Sequence, residues 1–261
     1  MKLIYFICIF LFFATHYIYG NLDAGLAEES LSTKEPLFVS LGSSCEVAHQ
    51  LRHLRLRAAA FPLDWVLSIE NSQLIRMLEE DFINFTKEEC LRIDNGVLIN
   101  TYYHLVLPHE GNWQGAFCPE TLKKVMHKYQ RRIDRFKEIS SFQGKVFFIR
   151  AAYIYADHPQ IIYRDKENLS ITEDWAIQLY QVLRNRFPDV DFTLIIMNMC
   201  TETTPMMREI ANNITEILYN PSLGPKPKLD LCKKTFMNLL QEYDLSKCPT
   251  FDNLMKADPS F

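Results

Sequence analysis

The stretch Leu37-Phe38-Val39-Ser40-Leu41-Gly42-Ser43-Ser44-Cys45-Glu46-Val47-Ala48 decides the fold. Its first five residues are a short run closed by Gly42, the pattern of a buried strand. From about Ser44, the apolar residues Val47, Ala48, Leu51 and Leu54 recur at helical spacing, with Ser43 or Ser44 available as the N-cap. A strand that turns through small residues straight into a helix opens an α/β unit. Cys45 begins that helix, where backbone N–H groups and the positive end of the helix dipole favour a thiolate. The same N–H groups suit an oxyanion hole, with Ser43 and Ser44 as further donors. Glu46 works the other way, because an adjacent carboxylate raises a thiol pKa unless it points to solvent. The plain alternative is a buried cysteine acting as a small hydrophobe.

Outward from this stretch, Phe61-Pro62-Leu63-Asp64-Trp65 cannot continue a helix, since Pro62 fixes its φ, and Asp64 therefore sits on a constrained turn. A helix is predicted over 72–80. Asp94-Asn95-Gly96 lies between apolar runs and predicts a hairpin within 91–107, because Asn-Gly tolerates positive φ. Pro119 opens a long amphipathic helix to about 139, followed by an apolar strand over 145–153. A helix over 172–187 precedes a buried strand over 192–197. Residues 214–219 read as an additional edge strand and 231–243 as a final helix. The fold class is α/β, with a mixed sheet built from parallel strand-helix-strand units and an attached antiparallel hairpin.

The chain has 261 residues, 48% of them hydrophobic, with 18 Phe and 12 Tyr, which is ample material for a packed core. Net charge is −4, and the basic residues are dispersed apart from Arg131, Arg132 and Arg135, so nucleic acid is not an expected partner. Met1-Lys2 followed by the apolar run Leu3 to Phe13 predicts a signal peptide over 1–20, with an uncleaved membrane anchor as the alternative. Residues 21–36 read as a linker and 37–261 as a single α/β domain. Secretion or residence in the cell envelope follows, with membrane contact only through an uncleaved leader. Six of the seven cysteines lie beyond the leader, allowing up to three disulfides, yet a free Cys45 leaves an odd number to pair. No C-x-x-C spacing occurs, so neither a metal nor another cofactor is expected.

The wider pattern resembles a known family. Phe38-Val39-Ser40-Leu41-Gly42-Ser43-Ser44-Cys45, then Leu51-Arg52, then Phe61-Pro62-Leu63-Asp64-Trp65 carry most of the likeness. Tyr102-Tyr103-His104 through His109, Tyr129 with Arg132 and Arg135-Phe136, and Phe147-Phe148-Ile149-Arg150 add weaker matches. Together they are similar to the papain-like cysteine peptidase family first catalogued as a domain of unknown function, over roughly 37–200. Departures are Leu63 where an aromatic is usual, Ala60 where a small polar residue is common, and Glu110 in place of Asp. The resemblance implies a thiol nucleophile at Cys45 and peptide or other acyl substrates.

Such chemistry needs a base within reach and a group to orient it. His109 is preferred because it follows Pro108 at a strand end, beside Gly111 and Trp113. His158, after Asp157 and just past the 145–153 strand, is the runner-up base. His49 and His53 share a helix face and read as structural, and His104 as filling a sheet surface. Asp64 is the candidate orienter, or else it caps its turn or pairs with Arg57 or Arg150. Arg150, at the end of a strand, suits an ion pair with Asp64 or a substrate carboxylate. The expected function is an exported thiol hydrolase using Cys45, His109 and Asp64. The alternative is a non-catalytic α/β binding or structural domain with a buried or disulfide-bonded Cys45, and a third reading is a serine esterase at Ser43 or Ser44.

Overall fold

Four buried residues in a row form β1 (Leu37–Ser40), and its parallel neighbour β5 (Val146–Ala151) is buried along its whole length. Strands covered on both faces carry unbroken apolar runs, which is why both were legible as continuous hydrophobic segments. In the computed structural model the described residues are 35–110, 118–152, 171–200 and 206–219, together with Met237 and Gln241. The expected leader over 1–20, most of the expected linker over 21–36, Trp113, Asp157 and His158 lie outside them. Of the helix expected over 231–243, Met237 and Gln241 are described, and both are helical.

The order of the larger sheet is β1-β5-β6-β8-β7, with β6 at Phe192–Met199, β7 at Met206–Ala211 and β8 at Ile214–Tyr219. All pairs are parallel except β7 with β8, so the sheet is mixed. β8 is an interior strand rather than the edge strand expected, and β7 was not foreseen. The first four residues of β7 are exposed, so that strand carries no burial signature in its sequence. The hairpin around Asn95-Gly96 is present as β2 (Leu91–Asp94) and β3 (Val97–Asn100), with both turn residues at positive φ. It extends to a separate three-stranded antiparallel sheet through β4 (Leu105–Leu107), which is too short to declare itself by pattern.

Helices cover both faces of the large sheet. Helix α1 (Glu46–His53) buries Val47 and Leu51 against Phe38, Phe147 and Ile149 on one face. On the other face lie α2 (Asn71–Glu79), α3 (Pro119–Glu138) and α4 (Glu173–Arg186). Pro119 begins α3, as its missing N–H allows, and Thr172 caps α4 by accepting from the Trp175 N–H at 3.3 Å. Among the described residues no helix is long and apolar enough to cross a membrane.

The larger core centres on Phe148. Its ring stacks on Phe187 at 5.5 Å and meets Phe192 edge-on at 5.3 Å, with Phe136 at 6.1 Å. Truncating it leaves a cavity that these rings cannot close, because each is held by its own element. Phe148→Ala is expected to lower stability by about 3–5 kcal/mol, read from the midpoint of urea unfolding at unchanged m-value.

Candidate functional site

Gly42 and Ser43 leave β1 with φ of 75° and 85°. Glycine takes that conformation freely, whereas for serine it is strained. Ser68 holds the strained residue from both sides: its Oγ accepts from the Ser43 N–H at 3.2 Å, and its own N–H donates to the Ser43 carbonyl at 3.0 Å. Arg150, fully buried on β5, then ties the assembly down. Its guanidinium donates to the carbonyls of Leu41 and Ser68, to Ser68 Oγ and to Asn71 Oδ1 at 2.6–3.1 Å. Burial pulls this guanidinium down to about 9, which still leaves it charged at neutral pH. Arg150 therefore pairs with neutral acceptors and not with Asp64.

The turn delivers the chain to Cys45, which occupies the N-cap of α1 in place of the expected Ser43 or Ser44. The Gly42 N–H donates to Ser40 Oγ and the Glu46 N–H to Ser44 Oγ. Among the described residues, neither the Ser44 nor the Cys45 N–H is seen donating to another residue. Two adjacent N–H groups at the start of a helix suit a developing oxyanion. Part of Cys45 reaches solvent, but burial pushes the thiol up to about 12, Glu46 adds to the rise, and the residue's own N–H only partly opposes it. Gln50 keeps the Glu46 carboxylate in place, donating to it at 2.9 Å. None of Cys45, Cys90, Cys118 and Cys200 is in a disulfide. Ser43 is buried, with its Oγ unpartnered, and so presents no open hydroxyl for an esterase.

The segment carrying Ser68 also carries the link to the small sheet. Leu67 exchanges two backbone hydrogen bonds with Val106 of β4, at 2.8 and 3.0 Å. Because N–H groups alternate along an extended chain, the Cys45 turn lies on one side of 67–68 and β4 on the other. The two ends of β4 lead to His104 and His109.

His109 meets the Trp65 ring edge-on at 5.6 Å, and the Arg57 guanidinium lies 5.4 Å from the same ring. Arg57 also donates to Asp64 Oδ2 at 3.0 Å, and the Phe61 N–H reaches that oxygen at 3.0 Å. Asp64 is buried; burial pushes its carboxyl up, and Arg57 and the Phe61 N–H only partly oppose the rise. Its contact with His109 runs through its chain neighbour Trp65. Glu110, next to His109, is buried and anchored to α3 by Lys128 and by the Tyr129 hydroxyl at 2.9 Å. Sequence reading noted Glu110 as a departure and missed this anchorage, which joins residues 18 and 19 positions apart.

His104 is not a sheet-surface residue. It sits in a turn organised by the buried Asn100, whose Oδ1 accepts from the N–H groups of Tyr102 and Tyr103. At φ 52° its Nδ1 faces the Glu70 carboxylate at 2.9 and 3.1 Å. Glu70 was not singled out, since no spacing rule joins residues 34 apart.

Taken together, these features define an α/β protein with a cysteine at the head of the helix that follows its first strand. The chain belongs to the family described as "Putative papain-like cysteine peptidase (DUF1796)", which matches residues 36–202. It is also 30% identical over 139 residues to "Uncharacterized protein R408" of Acanthamoeba polyphaga mimivirus, a match covering 45% of this chain and 62% of that relative. The chain thus spans less than two thirds of that relative's length. No solved structure matches significantly.

Two substitutions probe the turn. A Cβ on Gly42 would stand 2.7 Å from Ser68 Oγ and 3.2 Å from Leu63 Cβ at a positive φ, so Gly42→Ala is expected to cost about 2–4 kcal/mol in denaturant unfolding. Glu46→Gln removes a charge that raises the Cys45 thiol, and is expected to speed iodoacetamide labelling of Cys45 severalfold near pH 8.

Proposed function

We propose that the protein is a thiol hydrolase that cleaves peptide substrates, with Cys45 as nucleophile and His109 as general base. The observation that carries this reading is the family's description as papain-like cysteine peptidases combined with a cysteine heading α1 beside the two adjacent N–H groups. A thiol held near 12 is protonated at neutral pH. Attack therefore proceeds with the proton passing from Cys45 Sγ to the imidazole as the sulfur–carbon bond forms, rather than from a standing thiolate. The resulting oxyanion is received by the Ser44 and Cys45 N–H groups, and the protonated imidazole then passes its proton to the leaving amine.

Asp64 serves as orienter through Trp65, whose ring packs roughly perpendicular to that of His109. Arg57, bound to both Asp64 and the Trp65 ring, makes the three residues one unit. Ser43 and Arg150 act by shaping the oxyanion turn rather than by touching substrate. The leader over 1–20 supports action outside the cytosol, in a secreted or envelope-bound form.

A second reading is favoured by one specific contact. His104 is bonded to a carboxylate, Glu70, the arrangement that fixes an imidazole tautomer. His158 remains a further candidate base on sequence grounds.

Peptide-library cleavage read by mass spectrometry tests these alternatives. Cys45→Ala is expected to abolish turnover, and His109→Ala to lower kcat/KM by about 10²–10⁴. Loss in His104→Ala with His109→Ala near wild type would transfer the base to His104. Absence of cleavage by the wild type across the library would leave the non-catalytic binding domain as the function.

A further inference from the structure

Helix α1 carries His49 and His53 one turn apart, with ring centroids 5.2 Å from each other and planes at 87°. We propose that His49 and His53 form a two-imidazole chelate for a divalent transition-metal ion, one helical turn from Cys45, and that its occupation shields the thiol.

Imidazoles at positions i and i+4 project from the same face of a helix, the spacing by which zinc-binding helices present two ligands to one ion. Both histidines are partly exposed, so the ion enters from solvent. Imidazole selects zinc, nickel or copper over magnesium and calcium, which defines the ligand class. Glu46, three residues before His49 and held by Gln50, adds negative charge at the Cys45 end of the same face. Arg52 lies beside His53 and opposes a cation, so the ion is drawn toward the Glu46 end.

The stripe does not stop at His49. Cys45 has nearly helical dihedrals, φ −71° and ψ −5°, so Cys45, His49 and His53 follow one another at one-turn intervals. Helical side chains in general lean toward the N-terminus, which is the Cys45 end of this stripe. Among the described residues no three His, Cys, Asp or Glu side chains form a metal cage, so the ion keeps water in its remaining positions. Binding is correspondingly modest. Shielding of catalysis rests on the thiol-hydrolase reading; the metal site itself does not.

Calorimetric titration of the full chain with nickel chloride at about pH 7.5 is the test. One equivalent is expected to bind wild type and Cys45→Ala alike, and binding is expected to be lost in His53→Asn and in His49→Gln. With nickel at about five times its Kd, mass action slows iodoacetamide labelling of wild-type Cys45 about sixfold. In His53→Asn, nickel leaves the labelling rate unchanged. No single-site binding, equal binding by both histidine variants, or labelling of wild type that is indifferent to nickel would each overturn the proposal. Metal binding lost in His53→Asn alongside a chain that cleaves no peptide would keep the site and sink only the hydrolase reading.

Discussion

Much of the site depends on where the Arg150 guanidinium places its hydrogen bonds. They join the carboxyl end of β1, the segment 68–71 and β5, pieces separated by as many as 109 residues. Burying a cation without a carboxylate partner is expensive, by several kcal/mol even after relaxation. Four charge-assisted hydrogen bonds to neutral acceptors offset that cost. What they secure is the left-handed conformation of Ser43, which an unsupported turn would relax. The next residue pair along, Leu67 with Val106, carries the same constraint into the small sheet.

The site is under electrostatic tension. A helix N-terminus favours negative charge, yet burial and Glu46 hold the Cys45 thiol in its protonated form. A nucleophile in that state needs its proton taken during attack, so the placement of an imidazole matters more than the resting charge of the sulfur. The loop carrying His109 is correspondingly well anchored, with Trp65 on one side and Glu110 bound into α3 on the other. Asp64 belongs to the same buried set, and its bonds to Arg57 and Phe61 make it a support for Trp65.

Much of the architecture was legible from local rules. β1, β5 and β6 announced themselves as apolar runs, Asn95-Gly96 as a hairpin turn and Pro119 as a helix start. The parts that escaped share a physical cause. β7 is exposed and β4 only three residues long, so neither has a periodicity to read. Within the site, Cys45 was found at once because strand, small-residue turn and helix are contiguous. The partners of Arg150, the Glu70–His104 contact and the Glu110 anchorage were not, because a side chain's neighbours across 18 to 109 residues obey no spacing rule.

The sequence by itself determined that a buried strand would deliver Cys45 to the head of a helix, since hydrophobic periodicity and glycine's tolerance of positive φ act within a few residues. Only the tertiary structure decided that Cys45 rather than a serine would be the N-cap, that Arg150 would brace the turn instead of pairing with Asp64, and that burial would hold the thiol protonated. Desolvation and hydrogen-bond satisfaction are properties of packed neighbours, and those neighbours come together only when the sheets close on one another.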